Sequence, residues 1–110
     1  MKAEIDEDAL KITQQFRSGE AMVYDLRSKA GRLTLRVSGR GGDAGPPAEW
    51  RIEASTSSSP DAVIVAEYGP TRAEALLAVG RSWDEKRLAG NLPRFDWGSV
   101  ARAMSAVRAL

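Results

Sequence analysis

The stretch from Thr71 to Leu88, TRAEALLAVGRSWDEKRL, constrains the fold of this chain most strongly, because start signal, period and apolar stripe agree there. Thr71 and Glu74 have the spacing of a capping box, in which side chains satisfy backbone donors left open in a first helical turn. Pro70 delivers an extended chain into that turn. At 100° per residue, Ala73, Leu76, Val79, Gly80 and Trp83 share one face, and Glu74, Ala78, Arg81, Ser82 and Glu85 share the other. The helix is therefore expected to bury a single stripe. Gly80 lies within it, where glycine costs about 1 kcal/mol of helix propensity relative to alanine. Close approach of another backbone is the expected reason, and a notch for a ligand is the alternative. Gly90, Asn91 and Pro93 then stop the helix.

Upstream, the period changes from 3.6 to 2. Residues 21–27 alternate Met22, Tyr24 and Leu26 with Val23, Asp25 and Arg27, and residues 32–37 alternate Leu33, Leu35 and Val37 with Arg32, Thr34 and Arg36. A short loop through Lys29, Ala30 and Gly31 makes them a hairpin. Trp50, Ile52 and Ala54 alternate with Glu49, Arg51, Glu53 and Ser55 as a further strand. After a turn from Ser57 to Asp61, Ala62 to Tyr68 reads as the last strand. Because Ala62 to Ala66 is apolar on both sides, that strand is expected to be central or covered on both faces. Residues 10–17 fit either a helix face (Ile5, Ala9, Ile12, Phe16) or a strand face (Leu10, Ile12, Phe16, with Gln14 as the exception). The Ser18-Gly19 turn signal favours the strand. Residues 1–9 form an acidic tail expected to be flexible, and residues 38–48, SGRGGDAGPPA, a flexible Gly/Pro-rich loop.

Downstream of the first helix, Asp96 can cap a second one. Trp97, Val100, Ala103, Met104 and Val107 form its stripe, and Arg108 near its end suits the helix dipole. Strands followed by two one-faced helices give an α+β class: an antiparallel meander of four to five strands with both helices packed on one face. No internal repeat is present, and 110 residues suit a single domain.

Composition enters mainly by what it excludes. The chain has neither Cys nor His. That removes Cys/His zinc sites, iron–sulfur clusters, disulfides, and acid–base or nucleophilic steps that need either residue. Sixteen basic and fifteen acidic residues leave a net charge of +1, so no global field draws the chain to nucleic acid or an anionic surface. No carboxylate pair has the spacing of a metal site or a glycosidase pair. Neither an enzyme nor a cofactor or metal is expected. No apolar run is long enough to span a bilayer, and the N-terminus lacks the basic and apolar regions of a leader, so a cytoplasmic location is expected.

Three stretches are candidates for function. The first is the polar sheet face, Arg27, Arg32, Thr34, Arg36 and Arg51, which would meet phosphates or a partner's carboxylates if the helices cover the other side. Aromatic platforms that single-stranded nucleic acid favours are not expected there, since Tyr24 and Trp50 alternate toward the core. The second is Arg94, Phe95 and Trp97 in LPRFDWG, either a protein contact or a hydrophobic plug between the helices. The third, SGRGGDAG, lacks the lysine and the following helix of a phosphate-binding loop.

The hairpin YDLRSKAGRLTLRVSG, Tyr24 to Gly39, resembles that of PUR-type single-stranded nucleic-acid-binding repeats, in which antiparallel strands precede a helix. The resemblance implies nucleic-acid binding through Arg27, Lys29, Arg32 and Arg36. The chain departs from the pattern in an extra strand before its helix and a second helix after it. Taken together, the expected function is a non-catalytic binding module acting on a protein partner or as a homodimer, with single-stranded nucleic acid as the alternative and no membrane contact.

Overall fold

The computed structural model describes residues 11–41, 48–56 and 62–105. Five strands, β1 (Lys11–Ser18), β2 (Ala21–Ser28), β3 (Gly31–Arg40), β4 (Glu49–Ser55) and β5 (Val65–Gly69), precede two helices, α1 (Arg72–Ala89) and α2 (Trp97–Ser105). The strands form one antiparallel sheet in the order β1-β2-β3-β4-β5, so the expected α+β meander with two C-terminal helices is what the chain adopts. The ambiguous segment beginning at Leu10 is a strand from Lys11 onward. Gly19 takes φ 64° at the first central position of the β1–β2 turn, the conformation a II′ hairpin turn requires there.

Register carries the alternation across the sheet. Tyr24 pairs with Leu35, Leu35 with Ala54, and Ala54 with Val65, all on the face toward the helices. One residue along, Asp25 pairs with Thr34 and Thr34 with Ser55 on the opposite face. Into the first face α1 lowers Ala75, Leu76, Val79, Gly80 and Trp83. Phe95 and Val100 close the same core. Each large aliphatic buried in this way contributes roughly 1.5–3 kcal/mol.

The helix begins as its residues dictate. Thr71 Oγ1 accepts the Glu74 amide at 3.1 Å and also lies 3.5 Å from the Glu74 carboxylate. Gly69 permits the tight entry: a Cβ there would stand 2.6 Å from the Ala75 nitrogen. At the far end the Gly90 amide donates to Arg87 O. α2 starts on Asp96, whose Oδ1 accepts the Ser99 amide at 3.2 Å.

Several expectations are corrected. β3 runs through Arg40, so residues 38–40 are strand and the loop starts after them; pairing of Ser38, Gly39 and Arg40 with β4 outweighs the glycine's flexibility. β5 begins at Val65 rather than Ala62 and is an edge strand, because the chain turns straight into α1, which packs back over β4 and β5. The buried α1 stripe contains Ala75, whereas Ala73 is exposed. Gly80 faces not a backbone but the Trp97 side chain, whose Cγ would lie 3.0 Å from an added Cβ. In β1, a bulge between Ile12 and Gln14 inverts the alternation, so Ile12 points to the core and Phe16 to the opposite face. The 1–9 tail, the turn from Ser57 to Asp61, most of the 38–48 loop, Val107 and Arg108 lie outside the described residues.

Candidate functional site

The polar sheet face is built on Asp25, which is only 4% exposed. Arg32 Nη2 reaches its Oδ2 at 2.8 Å, and Thr34 Oγ1 donates to its Oδ1 at 2.8 Å. Burial pushes the Asp25 carboxyl up, but the hydrogen bonds from Arg32 and Thr34 and the charges of Arg32 and Arg27 outweigh it and hold the group below the ordinary carboxylate value. Thr34 is buried and spent on this network, so it offers nothing to a ligand. Arg36 and Arg51 both lean on Glu53, and Arg40 Nε bonds Glu49 at 2.8 Å. The five residues singled out from the sequence thus share one face, as the alternation implies. Arg32, Arg36 and Arg51 are already paired there, while Arg27 is exposed and makes no ion pair among the described residues.

This face also carries aromatics that the sequence reading placed elsewhere. Tyr68 is 46% exposed, and the guanidinium carbons of Arg40 and Arg51 lie 5.7 and 5.6 Å from its ring centroid. Phe16 stands exposed at the other edge. Parity with Val65 places Tyr68 outward; reading 62–68 as covered on both faces hid it.

The second constellation, Arg94, Phe95 and Trp97, divides. Arg94 is exposed, but Phe95 is 4% exposed and therefore cannot meet a partner in the folded chain. Its ring centroid lies 5.6 Å from that of Trp83 and 6.2 Å from that of Trp97, and Trp83 Nε1 donates to Pro93 O at 2.9 Å. These residues form the plug between the helices, and Trp97 alone of the two aromatics reaches the surface, half-buried.

Trp97 borders a cleft of about 670 Å³ between α1 and α2. Val37 and Ile52 of the sheet make its floor, Leu76, Leu77 and Gly80 one wall, and Trp97, Ala101 and Met104 the other. The volume lies in the range of ligand sites, and the lining is largely apolar. Leu77 is 63% exposed at the lip. No family model, curated protein or solved structure matches this chain.

At the cleft α2 meets α1 through the Trp97 side chain, which stands against Gly80. Only Ser99 and Val100 of α2 are buried. Sequence reasoning missed this surface, since Leu77 falls between the two faces of the α1 wheel and was assigned to neither. Among the described residues no group of three Asp, Glu, His or Cys can hold a metal, and no helix is long and apolar enough to cross a membrane.

Proposed function

We propose that this chain is a small, non-catalytic binding module that works through protein–protein contact, and that the cleft between α1 and α2 is its contact surface. The observation that carries this reading is Leu77, a large apolar side chain 63% exposed at the lip of an apolar cleft, next to exposed Ala73 and Ala101. A contiguous apolar patch of this kind is a usual mark of an interaction site. A cytoplasmic setting fits the absence of cysteine.

Site-specific photo-crosslinking in the expressing cell tests it. A crosslinking residue at position 77 or 101 should give discrete protein adducts, and one at position 16, whose apolar side chain is exposed on the opposite face of the sheet, should not. Adducts from all three positions alike, or from none, count against the reading.

A second reading, single-stranded nucleic acid on the sheet face, is favoured by Tyr68 between Arg40 and Arg51 with Phe16 across the sheet. Against it stand the carboxylates Asp25, Glu49 and Glu53, which already neutralise much of that face. Titration with single-stranded and duplex oligonucleotides at two salt concentrations separates the readings, because phosphate binding weakens steeply with salt.

A further inference from the structure

We infer that the occupant of the α1/α2 cleft is an amphipathic helix of a partner protein, carrying an apolar stripe flanked by acidic residues. The inference rests on the protein-contact reading above and specifies the partner's chemistry.

Shape argues for a helix. Both walls of the cleft are helices, which bond their own backbone, and among the described residues no open strand edge borders it. An extended segment entering it would bury amides without partners, at a cost of roughly 1–3 kcal/mol each. A helix satisfies its own backbone and offers only side chains, the mode in which apolar grooves take amphipathic helices. Extent argues for a macromolecule. The apolar surface continues past the lip onto Leu77, Ala73 and Ala101, which a small molecule lodged against Val37 and Ile52 would leave wet.

Charge fixes the flanks. Arg72 and Arg81 line the cleft from α1, about 13 Å apart along its axis at a rise of about 1.5 Å per residue. At the Gly98 edge of the cleft Arg102 Nη1 and Asp96 Oδ1 both stand close by. None of the three arginines makes an ion pair among the described residues, whereas Arg32, Arg36, Arg40, Arg51 and Arg87 all do; Arg72 stacks over Trp50, 5.4 Å from its ring centroid, and keeps its charge unpaired by a carboxylate. The acid that lines the cleft, Asp84, is engaged by Arg87 at 3.6 Å. The rim is therefore net basic. Within the wall the Trp97 indole N–H is shielded from water and finds no acceptor among the described residues.

Two synthetic helical peptides with the same leucine stripe, one flanked by Glu and one by Lys, are titrated into the full chain at low and high salt. Tryptophan emission is followed, with Trp97→Phe as the control. The Glu peptide should bind about five- to tenfold more tightly at low salt, the worth of two or three exposed ion pairs, and the gap should close with salt. Arg72→Glu with Arg81→Glu should reverse the preference, and Leu77→Asp should abolish binding of both while leaving the unfolding midpoint in place. Equal binding of the two peptides overturns the acidic flank and leaves the protein-contact reading intact. Binding of neither, with an apolar dye alone entering the cleft, overturns the helix. A concentration-dependent dimer dispersed by Leu77→Asp gives the cleft to a second copy and overturns it as well. Loss of the position-77 adducts in cells, by contrast, sinks the underlying reading.

Discussion

The two faces of one sheet differ by a single residue step and follow opposite rules. Leu33, Leu35 and Val37 of β3 are wholly buried under the helices, while Arg32, Thr34 and Arg36 between them build a charged lattice around Asp25 and Glu53. The dry face is held by area and shape, so its losses should be large and insensitive to pH. The polar face is held by a few charged hydrogen bonds, and apart from Asp25 its ion pairs are partly wet and should be nearly neutral. The difference teaches that Arg32, Arg36 and Arg51 are first of all partners for carboxylates, while on the helix side Leu77 leaves apolar surface open at the lip of the cleft.

Truncation of the dry face should have the largest effect. Trp83→Ala removes a fully buried ring, its contacts with Phe95 and Trp97, and the bond to Pro93 O. It should cost about 3–5 kcal/mol in equilibrium denaturation. A cost near zero would erase the contrast between the faces.

Next comes Asp25→Ala, which strands the buried Thr34 hydroxyl and releases Arg32. The expected loss is about 1–3 kcal/mol. Its pH dependence sharpens the comparison. The Asp25 carboxyl titrates lower in the folded chain than unfolded, so its contribution is fully present above the ordinary value of 3.8 and disappears as pH falls through the lower folded value. The stability gap between wild type and Asp25→Asn should thus be flat near neutrality and shrink in acid below about pH 4. The Trp83→Ala gap should stay the same across that window.

Gly80→Ala should follow. Alanine gains up to about 1 kcal/mol of helix propensity, but its methyl meets Trp97 Cγ at 3.0 Å. Because Trp97 is half-buried and can yield, the net gain should fall short of that figure, and Trp97 emission should shift. An unchanged emission would remove Trp97 from the α1 contact. Arg36→Ala, whose guanidinium lies 3.6 Å from Glu53 and is partly solvated, should change stability by less than about 1 kcal/mol.

Much of this architecture was legible in the residues. Alternation from Met22 to Val37 set strand, face and hairpin, because a side-chain period of two admits one buried register. Thr71, Glu74 and Asp96 marked both helix starts. What escaped was tertiary. A bulge that turns Phe16 outward leaves no mark in apolar spacing, and the edge position of β5 depends on where α1 folds back, not on the composition of residues 62–66. The cleft was hidden for the same reason. Its walls come from two helices that meet through Trp97 against Gly80, a contact that no single-helix wheel contains.

The central claim is that Leu77 is exposed for contact rather than for folding, and equilibrium unfolding of Leu77→Asp addresses it most directly. The substitution should change stability by no more than about 0.5 kcal/mol, as for other surface positions. A loss of about 2 kcal/mol or more, in the range of core truncations, would make Leu77 part of the interior and close the cleft as a binding surface.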